Sequence, residues 1–211
     1  MPVADDDLRR ASERLADEMR RIIKQLAVVR PPVAELAQAA EAAAAFADRL
    51  EQLPERTLSW EISEAGLLPR NFVAYSPVSG RSNAIAPPVS LRVVEDGNDR
   101  VHIEGDVTYG PAYEGPPGHV HGGWVAAMFD ELLGFAQQGP GFTGTLTIRY
   151  RRPTPLNRSL TLRARVERID GRKRTIKGVC ELDGVLLSEA EGLFIAPRDD
   201  DDFLARLGQL G

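Results

Sequence analysis

The sequence has few of the residues from which disulfides, metal cages and membrane spans are built. Its 211 residues include one cysteine, Cys180, and three histidines. One cysteine excludes an intrachain disulfide and a cysteine-based metal cage, and three scattered histidines give no basis for expecting a metal site. No apolar run approaches the roughly 20 residues that span a bilayer, so we expect no membrane insertion.

An excess of positive charge is also lacking. The formal net charge is −5 at pH 7, which argues against nucleic acid as a partner. The first seven residues are acidic and lack the basic and apolar regions of a secretion signal, so we expect a cytoplasmic protein. The length is sufficient for one substantial core with an appendage.

Composition divides the chain into three regions. Residues 1–57 carry apolar residues at three- and four-residue spacing on both sides of Pro31-Pro32, which predicts an N-terminal helical extension. Residues 58–197 contain the turn-rich and strand-like segments and are the predicted main domain. Residues 198–211 contain four consecutive aspartates and are the predicted acidic C-terminal tail.

The order of elements in the main domain predicts an α+β fold. Two strands are expected at 89–94 and 100–109, joined by a turn at Asp96-Gly97-Asn98-Asp99. An apolar helix is expected at 121–137. Three or four further strands are expected, at about 143–151, 159–169, 173–182 and 185–195, the last three linked by Asp-Gly turns. One sheet wrapping one apolar helix accounts for this order.

The most informative segment is His121-Gly122-Gly123, followed nine residues after the histidine by Asp130. The glycine pair lets the backbone turn sharply, and the N–H of Gly122 or Gly123 at the positive end of a helix can polarise a carbonyl oxygen. Asp130 has mostly small neighbours on its helix face, and burying a lone carboxylate is costly unless it is used. Glu131 is the second candidate carboxylate, although a surface ion pair explains it as well. His121 either orients the turn or contacts the substrate. The segment points to attack on a carbonyl or thioester carbonyl.

Positive charge is concentrated late in the chain. Residues 149–177 contain eleven lysines and arginines and only two acidic residues. This segment can hold a phosphate-bearing ligand, although taken alone the charge run is better explained as the solvated face of a strand pair. His119 and His121 form a His-x-His pair, but no further histidine or cysteine cluster supports a metal there.

Four stretches, taken in order, closely resemble the hotdog-fold acyl-CoA thioesterases, in the branch that includes phenylacetate-pathway and mitochondrial long-chain enzymes. They are Gly115-Pro116-Pro117-Gly118-His119-Val120-His121-Gly122-Gly123 with Asp130, Tyr150-Arg151-Arg152-Pro153-Thr154-Pro155-Leu156, Asp170-Gly171-Arg172-Lys173, and Ser188-Glu189-Ala190-Glu191-Gly192-Leu193-Phe194-Ile195. The resemblance covers about residues 75–196 and does not explain the N-terminal helices. It implies a hotdog fold, an antiparallel sheet wrapped around a long central helix.

The resemblance also implies the activity and its residues. Asp130 matches the catalytic carboxylate, acting on a thioester polarised by Gly122 or Gly123 of the other subunit, and Thr143 matches a threonine that helps to place the attacking water. The implied protein is a homodimer with active sites at its interface, often paired into a tetramer, that hydrolyses acyl-CoA to free acid and coenzyme A. Coenzyme A enters only as part of the substrate, and no other cofactor is expected. The basic residues that match coenzyme A contacts are Arg149, Arg151, Arg172, Lys173, Arg174 and Lys177.

Two other functions on the same fold remain as alternatives. A non-catalytic acyl-CoA-binding protein, acting as sensor or scaffold, is the first, and the presence of both Asp130 and Thr143 argues against it. A hotdog dehydratase or hydratase is the second, but it needs a paired histidine and aspartate in a different helix motif. The chain has no Gly-x-Ser-x-Gly, which argues against an α/β-hydrolase.

Overall fold

The structure is a computed structural model that describes residues 3–54, 74–95, 101–137 and 139–198. The elements, in chain order, are α1 Val3–Val28, α2 Val33–Glu51, β1 Val89–Glu95, β2 Val101–Thr108, a 3₁₀ turn Pro111–Tyr113, α3 Gly122–Ala136, β3 Phe142–Tyr150, β4 Ser159–Asp170, β5 Lys173–Leu182 and β6 Val185–Ile195. The predicted strands and the central helix are confirmed, each within one residue at its ends. The predicted turn at Asp96–Asp99 and the acidic run at Asp199–Asp202 lie outside the described residues.

The six strands form one antiparallel sheet in the order β1-β2-β4-β5-β6-β3. Both predicted Asp-Gly turns are tight hairpins. Gly171 joins β4 to β5 with a φ of 56°, while Asp183 and Gly184 join β5 to β6 with φ of 51° and 78°. Positive φ at these positions gives the backbone twist that matches the twist of paired strands, and glycine and aspartate tolerate it.

Helix α3 lies across one face of the sheet and supplies much of the core. Its buried side chains form an apolar stripe at helical spacing, with Leu133 buried beside it: Val125, Met128, Phe129, Leu132, Leu133 and Ala136. Two glycines in adjacent strands allow this close approach: a Cβ at Gly178 would lie 2.9 Å from Leu133 Cδ2, and one at Gly192 would lie 3.1 Å from Cδ1. Each fully buried leucine or phenylalanine contributes about 1.5–3 kcal/mol, so this packing fixes the helix on the sheet.

The two N-terminal helices differ in how they relate to this core. Helix α1 contacts the 3₁₀ turn and buries Ala16, whereas α2 has no buried side chain. Within the described residues, no helix combines the length and apolar character needed to cross a bilayer. The domain boundaries drawn from composition stay a prediction.

Strand β3 forms one edge of the sheet. It pairs with β6 on one side, and on its other side no strand of the described residues lies against it. Most of its side chains are exposed, Tyr150 to 53%. An edge of this length offers a row of backbone donors and acceptors on which a second chain can pair.

Candidate active site

The start of α3 is capped by His121. This residue has extended backbone angles, φ −60° and ψ 130°, and its Nδ1 accepts a hydrogen bond from the N–H of Gly123 at 3.0 Å. An accepting Nδ1 requires a neutral imidazole with its proton on Nε2. Of the two glycine N–H groups predicted to hold an oxyanion, that of Gly123 is therefore engaged in the cap. Gly122, the first helical residue, has no acceptor within its own helix. Among the described residues no hydrogen bond of its N–H occurs, which leaves this N–H for a ligand.

The turn that presents Gly122 is held from several directions. The N–H of His121 donates to the carbonyl of Tyr113 at 2.9 Å, and Tyr150 Oη donates to the carbonyl of Gly122 at 2.9 Å. The carbonyl of Thr154 accepts from Val120 at 2.8 Å. Fixed hydrogen bonds on both sides of the glycine preorganise its N–H direction, which an oxyanion donor requires.

The other two histidines do not join His121. His119 lies two residues earlier, and its Nδ1 is 2.8 Å from the carbonyl of Pro117. His102 lies in β2 with its Nε2 3.5 Å from Glu104. In the part of the chain that the structure describes, no cluster of three metal-ligating side chains occurs.

Asp130 and Thr143 lie together, one on α3 and the other near the start of β3. Thr143 Oγ1 donates to Asp130 Oδ1 at 2.7 Å. The threonine oxygen keeps lone pairs that can accept from a water, so the pair can orient a nucleophile beside the carboxylate. Asp130 is exposed in the single chain, whereas its sequence context led us to expect a buried carboxylate. A neighbouring molecule can cover it.

Glu131, the second candidate carboxylate, has a structural partner. Its Oε1 accepts a short hydrogen bond from the hydroxyl of Ser79, a buried residue in the segment that precedes β1. This bond ties residues 74–88 to the middle of α3. Sequence patterns gave no indication of Ser79, because the two partners lie 52 residues apart.

The open N–H and the carboxylate lie at different places along one helix. Gly122 and Asp130 are eight residues apart, which is about 12 Å along an α-helix. Tyr150, at the C-terminal end of β3, contacts Gly122. Thr143, near the N-terminal end of the same strand, contacts Asp130. A single thioester carbonyl cannot lie about 3 Å from both groups of the same chain.

The six predicted coenzyme A residues form two groups. Arg149 and Arg151 share the carboxylate of Glu189, at 3.9 and 3.0 Å. Lys177 lies 3.6 Å from Glu167 and 3.8 Å from Glu191. Arg149 and Lys177 line a groove of about 560 Å³ on the sheet face opposite α3. Nearby carboxylates offset the charge of this first group.

The second group lies at the turn between β4 and β5. Through the register of β3, β6 and β5, Thr143 pairs with Phe194 and Phe194 with Arg174, so this turn and Thr143 share one end of the sheet. Arg172 and Lys173 are exposed, and Arg172 Nη1 donates to the carbonyl of Ala196 at 2.9 Å. Arg174 differs, because its Nη1 is buried and has no hydrogen-bond partner among the described residues.

Comparisons with known proteins find similarity to thioesterases. A family model described as the thioesterase superfamily matches residues 117–178. Acyl-coenzyme A thioesterase THEM4 of Xenopus laevis is 39% identical over 93 residues, covering 41% of each chain, and THEM4 of Bos taurus is 38% identical over 90 residues, covering 41% of this chain and 37% of that protein. The chain thus spans about two fifths of the length of these curated relatives. A crystal structure described as a thioesterase superfamily protein aligns with a TM-score of 0.74 at 37% identity, covering 87% of this chain and 90% of the other.

Proposed function

The chain belongs to the thioesterase superfamily, and we propose that it hydrolyses acyl-CoA thioesters to the free acid and coenzyme A. The observation that carries the proposal is the hydrogen bond between Asp130 and Thr143 at 2.7 Å. It places the carboxylate of α3 beside a hydroxyl of β3, and the first N–H of the same helix, that of Gly122, is available to a ligand. The two vertebrate relatives named acyl-coenzyme A thioesterases support this choice of substrate class.

The proposed active site is completed by a second copy of the chain. If the free edges of two β3 strands pair antiparallel about a two-fold axis near mid-strand, the Tyr150 end of one strand lies beside the Thr143 end of the other. Gly122 then approaches Asp130 of the opposite subunit, which removes the separation of about 12 Å within one chain. The same pairing covers Asp130 and supplies the dry setting that one chain lacks.

The proposed chemistry uses one water and no cofactor. Thr143 and Asp130 orient a water beside the thioester carbon, and the N–H of Gly122 from the other subunit donates to the carbonyl oxygen. Asp130 takes a proton as the water oxygen bonds to carbon, and the tetrahedral oxyanion is stabilised by that N–H. Collapse breaks the carbon–sulfur bond, and the coenzyme A thiolate takes the proton. Direct attack by the carboxylate through a mixed anhydride is the other route with the same products.

Arg172 and Lys173 are the proposed contacts for the coenzyme A phosphates. They are the two exposed cations of the turn that shares the Thr143 end of the sheet. Arg149, Arg151 and Lys177 are weaker candidates, because each already lies within 4 Å of a carboxylate.

The variant Asp130→Asn tests the proposal. Asparagine keeps an oxygen that accepts from Thr143, but an amide does not take a proton from water. We expect turnover of acyl-CoA, followed by thiol release, to fall about 10²–10⁴-fold while acyl-CoA binding, followed by calorimetry, is retained. Wild-type turnover in this variant would contradict the role of Asp130. Binding without turnover in the wild type itself would identify a non-catalytic acyl-CoA-binding protein instead.

A further inference from the structure

Helix α1 is attached to the rest of the molecule by Arg20, whose guanidinium reaches backbone rather than solvent. Its Nη1 donates to the carbonyl of Asn83 at 2.7 Å, and its Nη2 donates to the carbonyl of Arg81 at 3.0 Å. Asp17, one turn earlier, pairs with the same guanidinium at 2.6 Å. A planar guanidinium that meets three acceptors at once holds them in a fixed relation, which a more flexible cation cannot do.

Arg20 binds carbonyl groups of segment 74–88, and this segment is held together by hydrogen bonds between its own residues. The N–H of Ser82 donates to the carbonyl of Ala74 at 2.8 Å, and Asn83 Nδ2 donates to the carbonyl of Tyr75 at 2.9 Å. Gly80 allows this closure, since a Cβ there would lie 2.5 Å from backbone atoms of Ser76. A displacement at its Arg20 contact is therefore passed to its other contacts.

Segment 74–88 contacts α3 next to Asp130, and it also contacts Tyr113, which supports the start of α3. Ser79 donates to Glu131, the residue after Asp130. At the other end, the carbonyl of Ile85 accepts from Tyr113 Oη at 3.0 Å. One internally bonded loop thus contacts the helix beside its carboxylate and also contacts the tyrosine that supports its first turn.

Tyr113 carries this connection to Gly122. Its carbonyl accepts from the N–H of His121 at 2.9 Å, and its ring packs edge-on against Trp124 with centroids 5.0 Å apart. Burial raises the pKa of Tyr113 to about 12, and the nearby Arg20 charge opposes that rise, so the arginine and the tyrosine lie within electrostatic reach of each other. Tyr113 therefore contacts the residues on both sides of the Gly122-Gly123 pair.

From these contacts we propose that α1 is part of the catalytic unit, with Arg20 as a positioning residue that holds the Gly122 N–H in place through segment 74–88 and Tyr113. The inference rests on the proposed function for its effect on turnover. An oxyanion donor has to lie 2.7–3.1 Å from the charge that it stabilises, and a displacement of about 1 Å is enough to lower the rate strongly. The substrate contacts themselves do not involve Arg20, so binding is left intact.

The chain offers a matched control on the same helix. Arg21 also pairs with an acid three residues earlier, Glu18, at 2.8 Å, but its side chain is 74% exposed while that of Arg20 is 15% exposed. The experiment compares Arg20→Met with Arg21→Met in the full chain. Methionine keeps an unbranched aliphatic side chain and removes the donors. Two quantities are measured: the kinetics of acyl-CoA hydrolysis, and hydrogen exchange of the amides of residues 119–125.

In Arg20→Met we expect kcat to fall about tenfold with KM changed less than about twofold. Amide exchange across residues 119–125 becomes faster, and Arg21→Met matches the wild type in both measurements. If Arg20→Met does not fold, Arg20→Lys takes its place. The same fall in kcat and the same faster exchange are expected, because a compact ammonium lacks the planar set of donors with which a guanidinium binds several acceptors at once. Unchanged kcat and exchange in the folded variant would overturn the inference, as would faster exchange confined to α1. If the wild type itself shows no hydrolysis, the proposed function fails, and the exchange comparison alone decides whether Arg20 holds the turn.

Discussion

Replacing Gly122 by proline removes one backbone N–H from the start of α3 and leaves its surroundings nearly unchanged. The first position of a helix accepts proline, since its N–H has no intrahelical acceptor and its φ suits the ring. The preceding residue, His121, has φ −60° and ψ 130°, a conformation that proline allows for its neighbour. A Cβ at Gly122 would come no closer than 3.7 Å to Tyr150 Oη. The variant is therefore expected to fold.

The matched control is Gly122→Ala, which adds the Cβ but keeps the N–H. Loss of one oxyanion donor lowers kcat about 10²–10³-fold, equivalent to about 2.7–4 kcal/mol. We expect this loss in Gly122→Pro, and a change of less than about threefold in Gly122→Ala, for which the structure shows no steric conflict. Steady-state hydrolysis with a thiol reagent, together with thermal unfolding of both variants, measures the difference. Equal kcat in the two folded variants would refute the role of this N–H.

Three further predictions concern the hydroxyl, the charges and the thiol. Thr143→Val removes the hydrogen bond to Asp130, and because such a bond to a charged group contributes about 1.5–3 kcal/mol, kcat falls about tenfold or more; an unchanged kcat would make the bond incidental. Arg172→Glu raises KM for acyl-CoA about three- to tenfold, and this effect is larger than its effect on kcat. Arg151→Glu raises KM less, because wild-type Arg151 is already paired with the carboxylate of Glu189. A larger rise in KM for Arg151→Glu than for Arg172→Glu would place the phosphate site beside Arg151 instead. Burial raises the pKa of Cys180 to about 11, so the native thiol stays protonated at a pH where the thiol of the unfolded chain ionises. The free energy of unfolding, relative to that of Cys180→Ala, therefore falls by about 1 kcal/mol from pH 8 to pH 10. Urea unfolding of both proteins at the two pH values measures this difference, and a difference that does not change with pH would contradict the prediction.

Periodicity and turn chemistry predicted the sheet and its central helix because both are encoded locally. The Asp-Gly hairpins at Gly171 and Gly184 adopt the positive φ that their sequence favours. The buried stripe of α3 follows the spacing of its apolar residues. The meeting of Asp130 with Thr143 was expected from the family resemblance, and the structure supplies its geometry.

The contacts that sequence patterns missed are those between distant segments. Arg20 and Asn83 are 63 residues apart, and neither belongs to a recognisable motif. The basic run at 149–177 also has partners that lie far from it in sequence. Side chains alternate between the two faces of a strand, and β6 supplies carboxylates such as Glu189 opposite the arginines. A count of charge along the chain does not include these cross-strand partners.

The most direct test of the account asks whether Asp130 and Gly122 act from different chains. Asp130→Asn and Gly122→Pro chains are each nearly inactive alone and are co-expressed in equal amounts. Half of the dimers then contain both variants, and one of their two sites combines an intact carboxylate with an intact N–H from the other chain. The account predicts that the mixture recovers about a quarter of wild-type activity, as random association into two-fold dimers requires. A mixture as inactive as its separate components would contradict a site shared between subunits.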